Sequence, residues 1–351
     1  MKIRIKGKKR ATIIDVARKA GVSKSTVSLA MKNSPLLARK TLKRVQEIAK
    51  KLRYRPNMLF SIMGSGNRLK KKKIESLPIA FLYDDKVNLT RERLPDFAYL
   101  PEIALRYGYI IEPFNLREFN SAEDVEKVLY HRGYVAIIIG RIINRDSVAY
   151  DLKLKDFSVA SNTNTLWRYN FHRVSGDVFK ALQMAWDKCV EAGYVRIGAA
   201  PCRHNPSVPD DDLRLAAVLE RQRHYEGKVE IIPPFQGETG AQKLFLEWVN
   251  KWQPDAIIGF HIGQYYILKE NLPENIFSKL GFCSLIVNPI DEWSNPISGV
   301  IYQEKEVAET TISILDQEVR NRIQGMPKNI MHINLTPKWH EGKTLPLRKK
   351  I

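Results

Sequence analysis

The chain has 351 residues, enough for two or three domains, and 44% of them are hydrophobic, enough for ordinary cores. Its formal charge of +19 is unevenly distributed: residues 1–73 hold 23 basic and 2 acidic side chains, and the remainder 34 basic and 36 acidic. An excess confined to the first fifth of the chain excludes a uniformly cationic scaffold and points to a polyanion bound at that end.

No apolar run approaches the roughly 18 residues that span a bilayer. The basic N-terminus lacks the apolar segment of a secretory signal. A cytoplasmic protein with no membrane partner is therefore expected. Three widely spaced cysteines, Cys189, Cys202 and Cys283, are expected as reduced thiols and not as a disulfide framework. The seven histidines form no metal-ligand spacing, so no metal is expected. No GxSxG or P-loop is present, and Gly64-Ser65-Gly66 lacks the strand-to-helix setting of a phosphate site. Neither an enzyme nor a cofactor is expected.

The first stretch, MKIRIKGKKR, is a basic arm suited either to a phosphate backbone or to plain solvation. Thr12 can then cap a helix with Ile14, Val16, Ala17 and Ala20 inward. Gly21 permits a sharp turn, since it takes left-handed angles without steric cost. Ser23 caps a second helix to about Met31, with Val27, Ala30 and Met31 inward. A third helix starts near Ala38 and carries Leu42, Val45, Ile48, Ala49 and Leu52. Two helices joined by four residues around Gly21 form the helix-turn-helix pattern, whose second helix enters the DNA major groove. Lys24, Ser25 and Thr26, at the start of that helix, reach base edges; Lys24 suits guanine O6 and N7. Ser28 and Thr12 are placed for phosphates.

The residues Asp15–Ala17, Ala20–Ser28 and Tyr54–Asn57 resemble the headpiece of the lactose/galactose repressor (LacI/GalR) family. The resemblance adds Leu29, Tyr54 and Asn57 to the DNA-facing set. Leu29 stands where the family often has arginine, so apolar contact replaces a guanine reader. The resemblance also implies a hinge helix after Asn57 that enters the minor groove, with Met63 as the wedge between central base pairs. The run Lys70–Lys73 departs from the family's shorter linker and fits a solvated spacer or phosphate contact equally well. The expected domains are a headpiece over 1–57, a hinge and basic linker over 58–76, and a core over 77–351.

From Leu77 strands and helices alternate. SLPIAFLYDD, IIEPFN, VAIIIG and FSVASN read as strands of a first half, with helices over PDFAYLPEIALRYGY and SAEDVEKVLYHRGY between them. A second series opens near Val174: a helix over GDVFKALQMAWDKCVEAGY, the strand VRIGAA, a helix from Asp211 to about Tyr225, the strand VEIIPP, the helix AQKLFLEWVNKW and the strands DAIIGF and LGFCSLIV. Strict alternation means parallel sheets with helices on both faces, and two series mean two lobes. The phrases at Gly193–Ile197, Leu213–Ala216, Pro254–Ile257, Leu280–Phe282 and Gly299–Gln303 are similar to the family's sensor domain. They imply a two-lobed α/β core like periplasmic sugar-binding proteins, with lobe crossovers near Asn162, Asn288 and Gly325. They also imply a homodimer using helices near 98–106 and after Phe260.

Ligands of open α/β sheets bind beyond the carboxyl ends of the strands. Asp84, Asn162, Asp177, His261 and Cys283 are candidates on that ground. Arg214 joins them because the family's arginine in this position contacts the effector; the alternative is a salt bridge to Asp211 or Asp212. Phe260-His261 and Cys283 replace polar residues that hold sugar hydroxyls in the family. Trp167, Tyr169 and Phe171 fit either an aromatic wall or loop packing. The expected function is a dimeric regulator, a repressor, on a palindromic operator of double-stranded DNA, modulated by a small ligand such as a sugar or related metabolite. A ligand-independent or co-regulator-dependent DNA-binding protein is the alternative.

Overall fold

The computed structural model describes residues 13–31, 37–52, 76–84, 97–142, 144–166 and 169–348. The chain separates into two compact units, Met1–Ile74 and Glu75–Ile351.

In the first unit, α1 (Ile13–Ala20), α2 (Lys24–Met31) and α3 (Arg39–Lys51) pack together. Gly21 has φ +61°, and its neighbour's amide, Val22 N, donates back to Ala17 O at 3.1 Å. That wraps the end of α1 and turns the chain within three residues. Ser23 Oγ accepts from Thr26 N at 3.1 Å and so caps α2. Val16, Ala17, Ala20, Val27, Ala30, Val45 and Ala49 form the core. Small residues dominate this list, which lets the three helices approach closely.

The second unit holds two sheets. The first lobe's sheet has β1 (Leu77–Asp84), β2 (Tyr109–Asn115), β3 (Ala136–Ile142), β4 (Ser158–Ser161), β5 (His172–Gly176) and β10 (His332–Leu335), in the order β10-β5-β4-β3-β1-β2, all parallel. The second lobe's sheet has β6 (Ile197–Ala200), β7 (Ala256–Gly259), β8 (Gly281–Ser284), β9 (Gly299–Ile301) and β11 (Lys338–His340), in the order β11-β9-β8-β7-β6. Here β11 runs antiparallel to β9, an exception to the expected parallel pattern.

The continuous apolar run of β3 is explained by cover on both faces. Ile137 and Ile139 face the core that includes Val125 and Leu129 of α5 (Ala122–Arg132). On the sheet's other side α4 (Leu100–Arg106) lies against the long helix near the chain's end, and that helix packs on β4 and β5. In the second lobe α6 (Val178–Glu191) and α7 (Pro209–His224) share one core with Ala256, Ile258 and Cys283. The opposite face packs Ile257 and Phe282 against α8 (Gln242–Trp252) and α9 (Gly263–Asn271). A short helix α10 (Glu274–Phe277) precedes β8, and α11 (Glu304–Asn321) is the long helix that returns to the first lobe.

Two expectations are corrected here. The crossovers do not lie near Asn162, Asn288 and Gly325. HRVSG is a strand, β5, paired with β4 and β10 in the first sheet, so the chain first crosses between Gly176 and Val178. It returns between Ile301 and Glu304 and crosses again between Leu335 and Lys338. VEIIPP is not a strand: Pro233 and Pro234 have no N–H to donate, and only Glu230 N and Phe235 N bond to β6 and its approach, at Val195 O (2.7 Å) and Ala199 O (2.9 Å). Among the described residues no helix is long and apolar enough to cross a membrane.

Candidate functional site

In the first unit, Lys24 and Ser25 are exposed at the start of α2. Thr26 and Leu29 are partly buried. The hydroxyls of Ser25 and Thr26 lie 2.7 and 2.8 Å from Ser23 Oγ, so the cap and the candidate base readers form one network. This orients Ser25 and Thr26 and leaves Lys24 as the side chain not tied to it. Thr12, Tyr54, Asn57 and Met63, and the side chain of Ser28, lie outside the described residues.

In the second unit the sequence candidates separate into two groups. Arg214 is 4% exposed on the first turns of α7. Its Nη2 meets Asp211 Oδ1 at 2.5 Å, and its guanidinium lies over the Phe260 ring at 4.5 Å. Its Nε is buried without a hydrogen-bond partner. The salt-bridge alternative is thus realised through Asp211, yet one donor remains unused. Asp211 is a hub: it accepts from Val208 N, from His204 N and from the His204 ring at 2.7 Å. Burial opposes ionisation there, but the hydrogen bonds from His204 and Val208 prevail and hold its carboxyl below the usual range.

Asp177 caps α6, accepting from Lys180 N at 2.8 Å. It stands at the first crossover, where a Cβ on Gly176 would meet the Tyr302 ring at 2.2 Å. Only glycine lets that ring lie against the strand. Burial raises the Tyr302 hydroxyl, Arg214 opposes the shift, and Asp210 and Asp177 reinforce it. The charges of α7 and of the crossover therefore converge on one phenol. Burial also raises the Asp210 carboxyl, with the Asn164 amide and Arg214 opposing. Asn164 of the first lobe donates to Asp210 Oδ1 of the second at 3.0 Å. Strand ends did not single out Asn164, His204 or Tyr302, and Asp210 reads from the sequence only as part of the acidic run Asp210–Asp212, which fits a helix N-terminus better than a metal site. The nearest signal was Asn162, two residues before Asn164.

The remaining candidates have the following local partners. Asn162 is buried at the end of β4, its backbone N donating to Ile139 O. Asp84 is buried at the end of β1, with Oδ1 2.7 Å from Arg117 Nε. That contact is close but not well directed as a hydrogen bond. His261 Nδ1 accepts from Gly263 N at 3.0 Å and closes the turn into α9; burial lowers its pKa and favours the neutral ring. Cys283 is corrected: its thiol points away from the strand ends into the core, 3.8 Å from Cys189 Sγ. Tyr169 and Phe171 stack on each other at 5.9 Å within the first lobe's core and are loop packing. Trp167 lies outside the described residues.

The model of bacterial regulatory proteins of the lacI family matches residues 12–57. No curated protein matches the chain significantly. Among solved structures, the lac repressor dimer bound to operator and the anti-inducer ONPF is 17% identical, with 96% of this chain and 100% of that chain covered and a TM-score of 0.59. The complex of the transcriptional regulator CelR with cellobiose is 14% identical, covers 95% and 100%, and has a TM-score of 0.61. The transcription regulator CcpA of Lactococcus lactis is 12% identical, covers 77% and 99%, and has a TM-score of 0.59. At such identities the likeness is one of fold. Residues 12–57 are a LacI-family helix-turn-helix segment, and the chain that carries them has the fold of LacI-family transcription regulators.

Proposed function

We propose that the chain is a sequence-specific DNA-binding regulator, a cytoplasmic repressor, that binds a palindromic operator as a homodimer. Residues 1–57 read the half-site, 58–76 form the hinge and linker, and 77–351 bind a small effector and dimerise. The exposed start of α2, with Lys24 beside the Ser23–Ser25–Thr26 network, supports the DNA part. The buried, unused Nε of Arg214 carries the effector part. A buried donor without a partner costs free energy, which an acceptor oxygen on a ligand such as a carbohydrate offsets. That the lac repressor and CelR structures hold ONPF and cellobiose is in keeping with this.

Selection of bound duplexes from a random pool tests the DNA part. The expected yield is an inverted repeat, with affinity falling steeply as salt rises because phosphate contacts release counterions. A pool with no common repeat refutes the assignment. A thermal-shift screen with metabolites separates the effector reading from the co-regulator alternative.

The dimer reading rests on an exposed apolar group between β8 and β9. Ile290 and Trp293 are 88% and 69% exposed, and Trp293 O accepts from Tyr266 Oη at 2.7 Å. Large apolar side chains held on a fixed loop suit a self-complementary contact. Trp293→Asp is expected to sediment as a monomer at concentrations where the parent is dimeric. An unchanged dimer in analytical ultracentrifugation moves the interface elsewhere.

A further inference from the structure

We propose that Asn164 and Asp210 form a latch that holds the two lobes closed, and that Asn164 is the positioning residue for that closure. The observation is a hydrogen-bond network that spreads from the Asn164 amide to both sides. The Asn164 amide uses one hydrogen on Asp210 Oδ1 (3.0 Å) and the other on Ser175 Oγ (3.0 Å). Because Ser175 Oγ accepts there, its own hydrogen goes to Asn334 Oδ1 (3.1 Å). The bonds from Asn164 through Ser175 to Asn334 run in one direction and strengthen one another, and the bond to Asp210 leaves the same amide on its other side.

The network joins four elements in a telling arrangement. Asp210 is the second residue of α7, in the second lobe. Ser175 lies on β5 two residues before the first crossover's Asp177, and Asn334 lies on β10 just before the third crossover. Three members therefore belong to the first lobe, and one bond, Asn164 to Asp210, reaches across. Opening the lobes breaks that bond and leaves the rest intact. Ser175 is buried, so Asn164 is anchored at the hinge side and presents its second hydrogen to the opposite lobe. Arg214 and Tyr302 lie near the same carboxylate. A ligand entering beside Arg214 therefore meets Asp210 while it is already bonded to Asn164. The latch concerns lobe geometry alone and stands whether or not the DNA-binding reading does.

The test exchanges donor and acceptor. Asn164→Asp sets two carboxylates against each other and removes the donor. Asp210→Asn keeps an acceptor oxygen for Asn164. The double variant Asn164→Asp/Asp210→Asn reverses the bond: the new amide at 210 donates to the new carboxylate at 164, Ser175 turns its hydrogen to the same carboxylate, and the Asn334 amide rotates to donate to Ser175. Spin labels on Glu123→Cys and Glu247→Cys, exposed in α5 and α8, report the interlobe distance in the full chain by double electron–electron resonance. The three native thiols are buried and do not compete for label. Asn164→Asp is expected to reduce the short-distance population about tenfold, Asp210→Asn to leave it as in the parent, and the double variant to restore it. If Asn164→Asp does not fold by circular dichroism, Asn164→Ala takes its place, with a smaller shift in the same direction. A parent-like distance distribution in the variant lacking the donor, or a double variant as open as Asn164→Asp, overturns the latch.

Discussion

Arg214→Ala is expected to destabilise the second unit by about 3 kcal/mol, the range found when one member of a buried ion pair is removed. The reason lies in the partner left behind. Asp211 is 4% exposed, and its carboxylate loses the 2.5 Å contact with the guanidinium. Its other donors, Val208 N, His204 N and the His204 ring, remain, which keeps the cost from rising further. The Phe260 ring also loses the planar group stacked on it at 4.5 Å, and a void opens beside it. At about 2–3 °C per kcal/mol for a unit of this size, the melting temperature falls by roughly 6–9 °C. Asp211→Asn added to Arg214→Ala should recover part of that loss, because it removes the charge that lacks its partner. Arg214→Lys keeps the charge yet has neither the planar face nor the Nε, so it should retain stability better than alanine while losing response to an effector. Differential scanning calorimetry on the four proteins decides this. A double variant no more stable than Arg214→Ala means the cost is packing over Phe260 and not the orphaned carboxylate.

The same residue shows how far the sequence could be read. Arg214 entered the candidates through the resemblance of LRLA to the family's sensor domain, whereas its competing partner Asp211, three residues away and one turn below, was legible from helix spacing. The three headpiece helices were legible too, because Gly21, Ser23 and the apolar spacing act within a few residues of one another. What was not legible depends on contacts remote in sequence. HRVSG looks like a loop because His172, Arg173 and Ser175 are polar, yet each is buried and bonded: His172 to Met331 N, Arg173 to Leu166 O and Tyr169 O, Ser175 to Asn334. Missing that strand displaced the expected crossovers. Cys283 was misplaced by strand parity. It sits at a strand end, as a ligand contact should, but Phe282 before it faces the α8–α9 core and Cys283 the α6–α7 core. Asn164 was passed over for Asn162 since nothing local tells which of two asparagines faces the other lobe.

The other large effect expected is a dependence of stability on pH set by Glu318. This residue of α11 is 4% exposed, and its Oε1 lies 3.1 Å from His172 Nε2 on β5. Met331 N donates to His172 Nδ1 at 3.0 Å, so the ring's proton is on Nε2 and faces the carboxyl. Burial pushes Glu318 up from an ordinary 4.5 to about 7, with the Val159 backbone opposing; burial pushes His172 down. Between pH 4.5 and 7 the folded chain keeps the Glu318 proton that the unfolded chain has released. More protons on the folded state mean stability falls as pH rises through that window, by up to roughly 3 kcal/mol at 1.36 kcal/mol per pH unit. His172 acts in the opposite sense: the unfolded ring takes a proton first, so acidification below about 6.5 costs stability. Above that pH only the Glu318 loss remains. Glu318→Gln keeps the shape of the side chain beside His172 and removes the ionisation. It should be more stable than the parent at pH 8 and close to it at pH 5, where the parent carboxyl is already neutral. Urea denaturation of both proteins across pH 5–8 gives the two curves. Parallel curves would mean that Glu318 ionises as easily in the folded chain as in the unfolded one. A Gln variant weaker at every pH would mean that the charged pair with His172 stabilises the junction of α11 and β5 despite its burial.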